Sequence, residues 1–217
     1  MQDIILFGVQ GSGKGTQCRK LLSHYGEQLV YFESGTILRA LKSNDNAIGN
    51  YVKSIIDQGI YLPDEFLIGL VDLFLQVLKP QQAMLLDGFP RRLGQMHMYL
   101  NRIRTLDRSV IGICLELDKD IAIDRLSHRR VCPLCSTSGI AYSQDQHVQC
   151  TKCNVVMIQR VDDTPHAIAA RIDQYEQETQ PVLDYYREHN MLVTVNANQS
   201  EDKVFENIIQ AIGSYRS

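Results

Sequence analysis

Short apolar runs alternate with amphipathic stretches along most of the chain. Ile4–Phe7 is a continuous apolar run that stops at Gly8, and Leu29–Phe32, Ala83–Leu86, Val110–Leu117 and Met191–Val195 repeat the pattern. Runs this short, bounded by glycine and polar positions, predict buried strands. Between them apolar residues recur at helical spacing. Such stretches begin at Lys14 (Leu21, Leu22), after Ser34 (Ile37, Leu38, Leu41) and around Ile48 (Val52, Ile55, Ile56), and they continue over Glu65–Leu78 and Leu93–Leu106. Others start at Lys119, at Thr164-Pro165 (running to about His189) and at Lys203. Ser34 suits a helix cap, as do Asp163 or Thr164 with Pro165 at the first helical position, and Pro80 closes the Glu65–Leu78 helix. Strands alternating with helices predict an α/β fold, a five-stranded parallel sheet flanked by helices, with ligands at the carboxyl ends of the strands. Two stretches interrupt the rhythm. Residues 34–63 form a helical insertion between the second and third strands, and residues 131–160 place Pro133, Gly139 and four cysteines among polar residues with little periodicity. The expected division is a core of 1–33, 64–130 and 161–217, an insertion of 34–63 and a cysteine-rich segment of 131–160.

Composition narrows the class only slightly. The 217 residues are 44% hydrophobic and 22% charged, ordinary values for a globular chain. A net charge of −3 argues against nucleic acid or a membrane surface as the partner. The apolar stretch Leu67–Leu78 is broken by Asp72 and is too short to span a bilayer, and Met1–Val9 reads as the first strand, not a signal. The expected location is the cytoplasm.

The first strand carries the sharpest chemistry. It runs into Gly8-Val-Gln-Gly-Ser-Gly-Lys14-Gly-Thr16, a strand, a glycine-rich turn and a helix start in the order of a phosphate-binding loop. Without Cβ atoms at 8, 11 and 13, successive N–H groups can turn inward around an anion. The helix start adds its positive end, and Lys14 a mobile full charge. Asp87, closing the third strand, reads as the acidic partner that holds Mg²⁺ directly or through water; a helix cap is the alternative. Arg39, Arg91, Arg125, Arg129, Arg160 and Arg171 all fall in or beside these regions, and planar guanidinium forks suit phosphate oxygens. Arg125 and Arg129, four apart, are expected on one helix face. Arg19, Arg102, Arg104, Arg108 and Arg187 read as solvated surface residues. Cys132-Pro-Leu-Cys135 and Cys150-Thr-Lys-Cys153 have zinc-ribbon spacing, and four thiolates around Zn²⁺ would fold a segment too polar to bury its own core. A redox pair or a nucleic-acid-binding ribbon are the alternatives, the latter disfavoured by few basic residues nearby.

Together these residues resemble the adenylate kinases of the long-lid bacterial type, over nearly the whole chain. Gly8–Gln17 resembles the family's phosphate loop, Ser34-Gly35-x3-Arg39 its monophosphate segment, and Asp87-Gly88-Phe89-Pro90-Arg91 is identical to its signature. Arg125-x3-Arg129-Arg130 before four cysteines, then Arg160-Val161-Asp162-Asp163 and Arg171, follow its lid-and-return pattern. The resemblance implies a P-loop kinase with a monophosphate-binding insertion and a zinc-ribbon lid that transfers a phosphoryl group between ATP and AMP. It implies ATP on Gly11, Ser12, Gly13, Lys14, Gly15, Thr16, Arg125, Arg129, Tyr142 and Gln199. AMP would sit on Ser34, Gly35, Arg39, Ile60, Tyr61, Leu62, Gly88, Phe89, Pro90, Arg91, Gln95, Arg160 and Arg171. Lys14, Arg91, Arg125, Arg129, Arg160 and Arg171 would serve the transfer, Asp87 and Thr16 would hold Mg²⁺ through water, and Cys132, Cys135, Cys150 and Cys153 would hold Zn²⁺. Gln95, whose amide both accepts and donates, would read adenine. A monomer without nucleic-acid or membrane partners is expected.

The chain departs from the family's pattern at Gln10 (usually proline), Ser34 (threonine), Thr36 (aspartate), Arg92 (threonine), Gly94 (proline) and Asn196-Ala197 (Asp-Gly), and the lid lacks a Pro-Pro-Lys run. These bear on nucleotide choice and turnover, since none removes a charge the transfer needs. A monophosphate kinase with another donor or acceptor base, such as GTP with AMP, and a nucleotide sensor with weak turnover are the competing readings.

Overall fold

The computed structural model describes residues 2–58, 60–135, 137–141, 148–159 and 163–215. Its centre is a parallel sheet of β1 (Asp3–Phe7), β2 (Leu29–Glu33), β3 (Ala83–Asp87), β4 (Val110–Glu116) and β7 (Leu192–Asn196), in the order β2-β3-β1-β4-β7. β1 and β3 are buried along their whole length, which is why they read as unbroken apolar runs. Alternation sends Ile5 and Phe7 to one face and Ile4 and Leu6 to the other. The first face packs against α3 (Ala47–Ile56), α4 (Asp64–Val77), α5 (Leu93–Thr105) and α8 (Gln180–Glu188) through Val52, Val71, Tyr99 and Tyr186. The second packs against α1 (Lys14–Tyr25) and α9 (Glu201–Tyr215) through Leu21 and Ile208. Each such aliphatic side chain contributes about 1.5–3 kcal/mol by leaving water.

The amino end of the sheet is locked by one carboxylate. Asp3, fully buried, accepts from the Met84 N–H (2.8 Å), the Tyr99 hydroxyl (3.0 Å) and Arg108 Nε (3.2 Å). Arg108 is therefore a structural partner of a buried charge, not the solvated surface residue its isolated position in the sequence suggests.

α2 (Ser34–Lys42) and α3 build the helical insertion, and Asn46 caps α3 by accepting from the Gly49 N–H at 2.8 Å. Ser34 is not the cap of α2. Glu33 occupies that position, and the Ser34 hydroxyl donates instead to the Gly88 carbonyl at 2.7 Å. The long helix expected up to His189 is divided. Thr164 caps α7 (Pro165–Gln174), with its oxygen accepting from the Ala167 N–H, and a π turn over Tyr175–Thr179 then leads into α8. Pro181 has no N–H to offer the Gln177 carbonyl, so the ladder slips there, and Gln180 N–H bonds to Tyr175 five residues back.

After α6 (Lys119–Ser127) the chain enters the cysteine-rich segment through β5 (Arg129–Val131), which pairs antiparallel with β6 (Ser138–Ile140). Bridges Val131 to Ile158 and Gln149 to Val156 extend this small ribbon, around Cys132, Cys150 and Met157. Among the described residues no helix is long and apolar enough to cross a membrane.

Candidate active site

The glycine-rich turn lies between β1 and α1, at the carboxyl end of the sheet. Gly8, Gly11 and Gly13 all have positive φ (143°, 89° and 92°). Gly11 also lies hard against its surroundings: a Cβ there would stand 2.9 Å from the Ala122 carbonyl oxygen of α6. The turn is thus wedged between the sheet and α6 in a backbone conformation side chains disfavour. Lys14 Nζ donates to the Gly8 and Val9 carbonyls at 2.6 and 3.0 Å. Burial lowers its pKa, against the opposing pull of Asp87. Ser12 Oγ and Gln10 Oε1 are buried without a hydrogen-bond partner among the described residues. A confined cradle holding a desolvated ammonium and an unmet hydroxyl fits a phosphate group.

Asp87 stands beside it, in register with Leu6 of β1 and Glu33 of β2. Its Oδ2 accepts from the Tyr31 hydroxyl at 3.3 Å, with the Cys18 sulfur at 3.9 Å. Burial pushes its carboxyl up, Lys14 and Arg91 oppose this, and Glu33 adds to it. A cation would relieve that burden, so the donor set fits one. The helix-cap alternative is excluded: α5 starts at Leu93 and its cap position is Arg92.

Arg91 Nε donates to the Gly88 carbonyl (2.9 Å), and its own N–H donates to Gln95 Oε1 (2.8 Å). One acceptor lone pair of Gln95 is thereby used in holding the arginine turn, leaving its second lone pair and its NH₂ for other partners. A cleft open to solvent is lined by Lys14, Tyr61, Gly88, Phe89, Pro90, Arg91 and Arg171 from the expected set, and by Gly8 of the glycine-rich turn. Gln10, Tyr175 and Thr179 also line it, and the sequence reading did not name the last two. Tyr175 lies beside the Cys114 thiol and Gly8, and the Thr179 hydroxyl donates to the Arg91 carbonyl at 3.2 Å. Their signal is the spacing 171, 175, 179, each four residues from the next.

Other expected residues lie outside this lining. Arg39 Nη2 contacts Thr36 Oγ1 at 2.8 Å and Glu33 at 3.4 Å, and Ile60 is exposed while Leu62 is buried. Arg125 donates to the Gly11 and Ala197 carbonyls, both at 3.4 Å, tying α6 to the turn. Arg125 and Arg129 do not share a helix face, because α6 ends at Ser127 and Arg129 already belongs to β5. Arg129 instead makes a two-pronged contact with Asp163 (2.7 and 2.6 Å), which also accepts from Arg171 Nη2 at 2.7 Å. Burial raises the Asp163 carboxyl, but the two guanidiniums outweigh it and hold the pKa below the usual carboxylate range. Gln199 Oε1 accepts from Asn207 Nδ2 at 3.4 Å. Tyr142 and Arg160 lie outside the described residues.

The four ribbon cysteines bring their sulfurs within 4.8 Å of one another. A tetrahedral site with Zn–S bonds of about 2.3 Å spaces its sulfurs by about 3.8 Å, so the cysteines are positioned to bind a zinc ion. Bonds with Thr137 hold Cys135 down to about 6, while its contact with Cys135 pushes Cys153 up to about 12; a cation would let both stand as thiolates.

Comparison with known proteins agrees with this geometry. The family model described as adenylate kinase matches residues 6–191. An adenylate kinase of Chlamydia trachomatis serovar L2 is 36% identical, covering 97% of this chain and 90% of the relative. One from Clostridium perfringens (strain SM101 / Type A) is 34% identical, covering 97% and 98%, and one from Kosmotoga olearia is 31% identical, covering 96% and 97%.

Proposed function

The chain belongs to the adenylate kinase family, nucleoside monophosphate kinases that move a phosphoryl group between nucleotides, and we propose that its reaction is ATP + AMP to two ADP, reversible and dependent on Mg²⁺. One observation carries this reading: Lys14, Arg91 and Arg171 line a single cleft at the carboxyl end of the sheet, with Asp87 beside Lys14. Phosphoryl transfer asks mainly for alignment and for neutralising charge.

In this reading ATP lies on the Gly11–Thr16 turn. Lys14 exchanges the Gly8 and Val9 carbonyls for phosphate oxygens, and Ser12 donates its unmet hydroxyl. AMP lies against Ser34–Arg39, Tyr61 and Arg91, with its base at Gln95. An oxygen of the AMP phosphate attacks the γ-phosphorus as the bond to the β–γ bridging oxygen breaks, so two diphosphates leave. Asp87 and Thr16 would hold through water a Mg²⁺ ion, which would supply neutralising charge to the phosphates. Arg39 and Arg91 steady the acceptor phosphate, Arg125 and Arg129 close on the donor, and Arg160 and Arg171 steady the group in transit. Residues 131–160 act as a lid on a core of 1–33, 64–130 and 161–217, and residues 34–63 close on AMP. Both closures exclude water that would otherwise hydrolyse ATP. Zinc held by Cys132, Cys135, Cys150 and Cys153 would brace the lid, and the protein works as a cytoplasmic monomer.

A coupled assay of ADP formation across donor and acceptor pairs tests the reading. ATP with AMP and Mg²⁺ is expected to be the preferred pair; no ADP from it, or a clear preference for GTP or another monophosphate, rejects this assignment. Metal analysis of reduced protein is expected to find about one Zn²⁺ per chain.

A further inference from the structure

Two departures from the family's pattern, Arg92 and Gly94, meet a third residue at the root of the helical insertion. Arg92 sits at the cap position of α5 in extended conformation, and its side chain crosses to the segment that returns from the insertion. Its Nη2 donates to the Leu62 carbonyl at 3.2 Å and to the Asp64 carboxylate. Its guanidinium carbon lies 5.3 Å from the centre of the Tyr61 ring, within cation–π range. One side chain thus gathers Tyr61, Leu62 and Asp64. Gly94 makes the approach possible: a Cβ there would stand 2.5 Å from Asp64 Oδ2. A larger residue at 94 would force the Asp64 carboxylate, whose other oxygen Arg92 holds, to shift.

The cluster adjoins the cleft. Tyr61 lines it, together with Lys14 and Arg91, while Leu62 is buried in the apolar core behind. Among the described residues the buried Nε of Arg92 has no hydrogen-bond partner, and it forms an ion pair with Glu178 Oε2 on the π turn at 3.9 Å. A planar guanidinium suits this task better than an ammonium, since it stacks on the ring and forks to two acceptors at once.

We propose that Arg92 is a positioning residue for the acceptor nucleotide, fixing through Leu62 and Asp64 the wall whose Tyr61 faces the cleft, and that Gly94 is the accommodation that lets it do so. This rests on reading residues 60–62 as the monophosphate side. A wall held in place before binding leaves less ordering to be done by the ligand, so the effect falls on the acceptor and spares the donor.

The test measures AMP and ATP binding separately by titration calorimetry, alongside steady-state kinetics and melting temperature, in wild type, Arg92→Ala, Arg92→Lys and Gly94→Ala. Arg92→Ala is expected to weaken AMP binding about tenfold, with AMP KM rising in step and ATP affinity changing less than about twofold. Arg92→Lys recovers part of the loss. Gly94→Ala, which keeps the arginine and displaces Asp64, shifts AMP affinity the same way by less, and it carries the test if Arg92→Ala does not fold. Equal losses for both nucleotides, or unchanged AMP affinity in the folded variants, overturn the proposal. Selective loss of AMP affinity in a protein that forms no ADP leaves the positioning role standing and removes the reaction assigned above. A wild-type protein that binds no AMP overturns both.

Discussion

Two aspartates are buried in the central sheet, one at each end, and their surroundings are opposite. Asp3, at the amino end of β1, meets a backbone N–H, a tyrosine hydroxyl and a guanidinium within 3.2 Å. Asp87, at the carboxyl end of β3, has the Tyr31 hydroxyl at 3.3 Å and a thiol at 3.9 Å, with a second carboxylate, Glu33, in register on the next strand. The first carboxylate has its charge answered by the fold. The second is desolvated with its charge answered in part, by Lys14 and Arg91, which a phosphate would also recruit. A binding site in this protein is therefore a place where the chain leaves polar demand for a ligand to meet, and the opposite end shows that the same sheet can satisfy it fully.

Replacing each carboxylate tests the contrast, and the largest change is expected at Asp3. Asp3→Ala strands Arg108 and the Tyr99 hydroxyl and is expected to cost about 3–5 kcal/mol in urea unfolding, with turnover per folded molecule unchanged. A variant as stable as wild type would remove Asp3 from its role as a joint. Asp87→Asn is expected to do the reverse, lowering kcat by about 10²–10³ while unfolding stability holds or rises. The sign follows from the raised folded-state pKa of Asp87. Its contribution is most favourable below the unfolded value of about 3.9 and weakens as pH rises through the folded one. A neutral amide therefore spares the fold an ionised carboxylate at neutral pH.

Asp163 supplies the smallest and most discriminating effect. Its folded-state pKa is lowered, so its stabilisation is fully present above about 3.9 and disappears as pH falls through the lowered value. Asp163→Asn is expected to cost about 1.5–3 kcal/mol near pH 7, and the difference from wild type should shrink in urea titrations carried towards acid. A difference that does not change with pH would mean that the two arginines do not depend on an ionised Asp163.

What the sequence made legible follows from where the physics is local. Buried parallel strands leave continuous apolar runs, and caps and prolines mark helix ends within a few residues, so the five strands and the helices around them could be read directly. The phosphate turn and the paired cysteines are also local patterns, and both appear in the structure as expected. The errors concern partners distant along the chain. Nothing near Arg108 reveals that Asp3 waits for it 105 residues away, and Ser34 looks like a cap until Gly88 is brought beneath its hydroxyl. Arg125 and Arg129 carry helical spacing, but α6 ends between them. The spacing of Tyr175 and Thr179 was visible, yet it acquired meaning only when the cleft formed beside them.

The π turn at Tyr175–Thr179 has one more consequence. Relative to a continuous α-helix it accommodates an extra residue, which offsets the helical phase by about 100°. Arg171 and Tyr175 are thereby phased towards the cleft, while Val182, Leu183 and Tyr186 beyond the turn are phased into the apolar core. Deleting one residue between 175 and 179 would remove the extra residue and misalign the two halves. Either the cleft residues or the core residues would then rotate away from their neighbours. The irregular turn lets one helix serve two masters that ordinary helical periodicity could not align together.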